Sequence, residues 1–145
     1  MNEKMQKIQK SIDEQLAENL KRKNELLDKG DFIDEDGYPT EDALEIIELW
    51  HWDDARGWFK FIEEIWWNSS MLWKEDDVPH DLRSFKGYEE ETVHRYWIST
   101  GGWSGNESII YAMQKADFMW HLNWVQSRRG GHYIFELREF NDKIT

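Results

Sequence analysis

The sequence predicts an α+β domain, with N-terminal helices packed against a small antiparallel sheet of β-α-β-β order, and three observations carry that reading. Residues 3–29 place Met5, Ile8, Ile12, Leu16, Leu20 and Leu27 at three- and four-residue steps or their multiples, the period of one helix face. Thr92–Ser99 and Phe118–Gln126 instead alternate with the period of two that suits strands. Gly130-Gly131 between two β-rich runs is a hairpin signal. The 145 residues are expected to form a single domain over 1–145. It divides into a long helix (1–29), an acidic Trp-rich helical region (30–92) and a β-α-β-β module (93–145).

The first helix is expected to stop at Gly30. Its apolar stripe is narrow, and a strict heptad fails at Gln15 and Asn19, which argues against a long coiled coil. Packing on its own domain is the favoured use of the stripe. A homodimer through Ile8, Ile12, Leu16 and Leu20 is the alternative. Residues 31–40 read as a turn-rich connector. Thr40 is placed to cap a second helix, with Glu41 and Asp42 at its positive end. Asp53 and Asp54 begin a third helix through Trp67, with Trp58, Phe59, Ile62, Ile65 and Trp66 on its apolar face. Residues 68–89 read as irregular. After the strand Thr92–Ser99, a glycine-rich turn leads into a short helix with Ile109, Ile110 and Met113, then a strand over Phe118–Gln126. His132–Phe140 returns across Gly130-Gly131 as the last strand.

Charge is distributed unevenly. Residues 1–29 carry 7 Lys/Arg against 6 Asp/Glu, residues 30–92 carry 5 against 19, and residues 93–145 carry 6 against 5. The net charge of −12 thus belongs to the middle segment, which also holds six of the 10 tryptophans. Such a field repels nucleic acid and anionic membrane and attracts basic protein surfaces. With no cysteine there is no thiolate metal site, disulfide framework or cysteine nucleophile. No apolar run is long enough for a membrane span and the first residues are too polar for a signal peptide, so a cytoplasmic protein is expected.

Four motifs need weighing. Asp31–Gly37 resembles a calcium loop, but counting back from the glycine puts Phe32 and Ala43 where an EF-hand needs its end carboxylates, so a solvated turn is expected. Thr100–Glu107 sits where backbone amides can hold an anion. It lacks P-loop spacing, and Ser104 with Glu107 fits a capping box. Ser127–Tyr133 offers Arg128 and Arg129 beside a glycine turn, either to grip a phosphate or carboxylate or as an exposed hairpin tip. The five histidines have no zinc spacing, and no nucleophile elbow is present, so no metal, cofactor or catalytic residue is expected. The tryptophans amid acid are the fourth motif. Much of that pattern is core with solvated opposite faces, but Trp50-His51-Trp52 and Trp66-Trp67 put aromatics on successive faces. Aromatics left near an acidic surface suit interface anchors.

Trp97-Ile98-Ser99-Thr100-Gly101-Gly102-Trp103-Ser104-Gly105-Asn106-Glu107, followed by Trp120, Trp124 and Arg129-Gly130-Gly131-His132-Tyr133, resembles the C-terminal module of a group of small phage and prophage proteins. The resemblance covers about a third of the chain. It implies a phage setting and, weakly, the class of host-defence inhibitors that includes anti-CRISPR proteins and DNA mimics.

The leading expectation is a non-catalytic inhibitor whose acidic face occupies a basic, nucleic-acid-binding surface of a defence effector. Trp50, Trp52, Trp66, Trp67 and Trp73 would be its anchors, and Asp53, Asp54, Glu63, Glu64, Asp76 and Asp77 its phosphate mimics. A second expectation is a binder of an anionic nucleotide signal using Trp103, Asn106, Arg128, Arg129 and His132. A third is an immunity protein against a basic toxin. Direct nucleic-acid binding is disfavoured by the charge.

Overall fold

A computed structural model describes residues 2–81, 84, 86–87 and 90–138. Its helices are α1 (Glu3–Lys29), α2 (Glu41–Leu49), α3 (Ala55–Ile65), α4 (Ser104–Lys115) and α5 (Asp117–Asn123), and its strands β1 (Leu72–Pro79), β2 (Thr92–Ser99), β3 (Trp124–Arg128) and β4 (His132–Arg138). The strands form one antiparallel sheet in the order β1-β2-β4-β3. The protein is α+β. The expected extension of the last strand to Phe140 lies outside the described residues.

The helix ends form where local chemistry placed them. Asn2 Oδ1 accepts from the Met5 amide at 2.9 Å, and Gly30, at φ 70°, closes α1 by donating to the Leu26 carbonyl at 3.2 Å. Thr40 Oγ1 accepts from Ala43 N at 3.1 Å, and Asp54 Oδ1 accepts from Gly57 N at 3.1 Å. α3 ends at Ile65, two residues before the expected boundary.

The core lies between helices α2–α5 and one face of the sheet. Phe59 of α3 stacks on Tyr96 of β2 at 4.6 Å and meets Phe135 of β4 at 5.1 Å. Trp120 of α5 meets Phe135 at 5.1 Å and Tyr133 at 5.8 Å, both edge-on. Trp58 is fully enclosed, its Nε1 donating to the Ile47 carbonyl at 3.0 Å. Aromatics thus supply much of the buried area.

Four expectations are corrected. Phe118–Gln126 is not one strand: Asp117–Asn123 is helical and only Trp124–Arg128 is extended. The alternation of Phe118, Trp120, Leu122 and Trp124 also contains the four-residue step that pairs Phe118 with Leu122, and tertiary packing chose it by burying Met119, Trp120 and Asn123. The module after residue 92 therefore runs β-α-α-β-β. The stretch expected to be irregular contains β1, an edge strand hidden by its charge. Lys74, Glu75, Asp76 and Asp77 guard an exposed edge, and the register breaks between Glu75 and Val78, where Asp77 takes φ 55°.

The capping box at Ser104 is absent. Trp103 holds the cap position without a side-chain bond, and Ser104 Oγ lies 3.2 Å from Tyr38 Oη instead. Finally, α1 does not pack its stripe on its own domain. Met5, Ile8, Ile12, Leu16 and Leu20 are 40–55% exposed, and burial starts only at Lys23 and Leu26. A helix of 27 residues is about 40 Å long, whereas α2, the helix it packs along, has 9 residues and spans about 14 Å.

Candidate functional site

The tryptophans of the acidic segment separate into a core and three surface groups. Trp66, expected as an anchor, is 5% exposed and belongs to the core. It caps the C-terminal end of α3, whose inward face continues through it. Its neighbour Trp67 turns outward and is 48% exposed. Trp67 lies 5.2 Å from Trp103, and Trp103 lies 4.7 Å from Tyr38, making one ladder of three rings. Trp67 and Trp103 were expected in different sites.

Local backbone chemistry fixes this ladder. Asp34 Oδ1 accepts from the amides of Asp36 and Tyr38, both at 2.9 Å, and an Ile33–Pro39 bridge closes the turn. Gly37, at φ 87°, lets the chain pass beside the Trp67 ring. The Trp103 ring folds over Gly105, where a Cβ would lie 2.2 Å from its carbons. Asn106 is fully buried. Its Oδ1 accepts from Trp67 N at 3.1 Å and its Nδ2 donates to Trp67 O at 3.0 Å. Expected as a ligand contact, Asn106 instead binds the backbone that presents Trp67.

The rim of the ladder is acidic. Asp34, Glu35 and Asp36 occupy the turn next to Tyr38, and Glu107 is exposed on the first turn of α4. From Gly30 to Ala55 the chain has ten carboxylates and no Lys or Arg. Two of those carboxylates meet cations from α1: Glu45 pairs with Arg22 and Asp42 with Lys29, each at 2.9 Å.

Trp50 and Trp52 form the second group, in the linker between α2 and α3. Trp50 is half-buried, its Nε1 donating to Asp54 Oδ2 at 3.1 Å. Lys23 Nζ stands 4.1 Å above its ring, and burial pulls the Lys23 ammonium below its usual range despite Asp54 and Asp53 nearby. Trp52 meets Phe118 edge-on at 5.4 Å. Both rings stand at a groove of about 590 Å³ between α1, this linker and the α4–α5 junction. Asp53 and Asp54 also line it, Asp53 paired with His51 Nδ1 at 2.5 Å and Asp54 serving as a helix cap.

Trp73 belongs to a third group on the outer sheet face, stacked on Trp97 at 4.3 Å. The expected phosphate mimics Glu63, Glu64 and Asp76 line a cleft shared with Arg56, Lys60 and Lys74. Asp76 accepts from His94 Nδ1 at 2.8 Å, and Lys74 lies 3.6 Å from Glu63. That cleft is mixed in sign. Asp77 is exposed at the break in β1.

The two glycine loops lie at one end of the sheet, since the Thr100 amide donates to the Gly131 carbonyl at 3.0 Å. There Arg128 and His132 border a recess of about 340 Å³ beside Trp97 and Tyr133, and His132 Nδ1 contacts Ser99 Oγ at 2.6 Å. Arg129 is exposed at the hairpin tip. Trp103 and Asn106 do not line this recess.

Sequence reasoning missed Tyr38 and Phe118 as surface aromatics. An aromatic between Gly37 and Pro39 was a signal for the first, because a tight turn has little core to enter. Phe118 was hidden by its placement on a strand. Among the described residues, no group of three His, Asp or Glu could hold a metal ion. No family model matches the chain, and neither a curated protein nor a solved structure matches it.

Proposed function

We propose that this chain is a non-catalytic binding protein that docks an acidic, aromatic face onto a basic protein surface. The observation carrying this reading is the Tyr38–Trp103–Trp67 ladder rimmed by Asp34, Glu35 and Asp36. Rigid aromatics supply contact area at low entropic cost, and the carboxylates steer a cationic partner. The mixed charge around Glu63, Glu64 and Asp76 makes that cleft a weaker basis for imitating phosphates. The resemblance to phage modules supports a counter-defence inhibitor, with a nucleic-acid-handling effector as target.

The test is affinity capture from the natural host, followed by salt titration of the purified pair. Trp67→Ala is expected to weaken binding at least tenfold. Glu35→Lys with Asp36→Lys is expected to weaken it and flatten its salt dependence. A complex indifferent to all three changes would end this assignment of the surface. A second reading, binding of an anionic nucleotide, is favoured by Arg128 and His132 at the recess beside Trp97. It requires Arg128→Ala to abolish nucleotide binding while Trp67→Ala leaves it intact.

A further inference from the structure

Building on the docking face proposed above and dependent on it, we infer that the Tyr38–Trp103–Trp67 ladder seats an arginine side chain of the partner protein. The guanidinium lies against the aromatic faces, and the surrounding carboxylates accept from its N–H groups.

Several rings and acids elsewhere in the molecule are matched by cations of the same chain. Lys23 Nζ stands 4.1 Å above Trp50, the Arg95 guanidinium 5.7 Å above Trp97, and Lys115 Nζ 4.6 Å above Tyr111. Among the described residues, Tyr38, Trp103 and Trp67 have no such cation, although Tyr38 and Trp67 are exposed and Trp103 is half-buried. The carboxylates show the same contrast. Glu45, Glu91 and Glu136 are held by Arg22, Arg138 and Arg95. Among the described residues, Asp34, Glu35, Asp36 and Glu107 have no ion pair, and Asp34 accepts only through Oδ1, from the amides of its own turn.

These acids bracket the rings. Gly37 lies against Trp67, where a Cβ would meet Cδ1 at 3.8 Å, so Asp36 and Glu35 stand one and two residues from that contact. At the far end of the Tyr38 ring, Oη lies 3.2 Å from Ser104 Oγ. Glu107 follows Ser104 by three residues, on the same face of α4. Its charge also offsets the positive end of the α4 dipole, which would otherwise repel a cation.

Arginine fits this seat better than lysine for two reasons. A guanidinium is planar and weakly hydrated, so it stacks on an aromatic face with little desolvation loss, whereas an ammonium is a compact, strongly hydrated point charge. Its five N–H donors also reach carboxylates on two sides of a ring at once. The seat is formed before binding. Asn106 fixes the Trp67 backbone, Gly105 admits the Trp103 ring, and Asp34 holds the turn. Little ordering is then left to oppose association.

The test uses the full chain with isotope-labelled tryptophan and follows its indole N–H signals by NMR. The probes are the end-blocked peptide Gly-Arg-Gly-Arg-Gly and its lysine counterpart Gly-Lys-Gly-Lys-Gly. The arginine peptide is expected to shift the Trp67 and Trp103 signals and to leave that of the enclosed Trp58 in place. Its dissociation constant is expected to be at least fivefold below that of the lysine peptide. Glu35→Gln with Asp36→Asn is expected to raise that constant at least threefold, with thermal unfolding near wild type because both positions are exposed. Equal affinities for the two peptides overturn the choice of arginine, and shifts confined to Trp73 and Trp97 overturn the location. Failure of the docking face itself reads differently, since a captured partner would then bind the Trp67→Ala chain as tightly as wild type. A captured complex that depends on Trp67, with Trp67 and Trp103 signals unmoved by millimolar arginine peptide, overturns the arginine seat alone.

Discussion

Asn106 holds Trp67 by two opposed hydrogen bonds, accepting from its amide at 3.1 Å and donating to its carbonyl at 3.0 Å. A side chain thus treats a backbone 39 residues away as a neighbouring strand would, and aims Trp67 outward. Asn106→Ala leaves the Trp67 amide and carbonyl without these partners. The expected loss is about 1–3 kcal/mol by denaturant unfolding. Asn106→Asp should also destabilise, because it keeps the acceptor but loses the donor and buries a carboxylate. Equal stability in all three proteins would remove the clamp from this account.

Gly105 and Trp103 form the next dependence. A methyl at position 105 would overlap the Trp103 ring, with carbons 2.2 Å away. Alanine is the better helix former, so propensity alone predicts stabilisation. Overpacking is expected to win, with a net loss of about 1–3 kcal/mol and a changed Trp103 fluorescence environment. A stabilised Gly105→Ala with unchanged spectra would contradict the fold of Trp103 over α4.

Tyr96 supplies a pH dependence. Burial, reinforced by Glu63, pushes its phenol up to about 12 from 10.0. The folded state then holds a proton that the unfolded state releases first. This contribution is complete below pH 10 and is lost as pH rises through about 12, on the order of 2 kcal/mol in total. Wild type should therefore lose more stability than Tyr96→Phe across that window. Parallel curves would mean that the phenol titrates normally.

Two arginine pairs should behave differently. Arg95 bonds Glu136, which is 5% exposed, and also donates to the Pro79 carbonyl at 2.7 Å. Arg95→Met strands a buried carboxylate, and a loss of about 3–5 kcal/mol is expected. The exposed Arg22–Glu45 pair works in water, and Arg22→Met should change the melting temperature little. Similar effects from both substitutions would count against this contrast.

Elements whose signals are local were legible in the chain. Gly30 ends α1, Thr40 and Asp54 cap α2 and α3, and Gly130-Gly131 turns the hairpin, each because a few adjacent atoms settle the conformation. The concentration of acid and tryptophan was legible too. Its division was not. Trp66 and Trp67 are adjacent and chemically alike, yet one enters the core and the other joins Trp103 and Tyr38 from distant segments.

The sequence by itself determined the α+β class, the boundaries of α1, α2 and α3 to within a residue or two, the hairpin, and a charge field confined to one segment. These rest on periodicity, capping and composition, which are properties of neighbours along the chain. Tertiary structure alone decided that Phe118–Asn123 is helical, that charged Leu72–Pro79 forms an edge strand, and that the α1 stripe stays uncovered. Those outcomes depend on which distant surfaces are near enough to bury an apolar side chain or pair an amide.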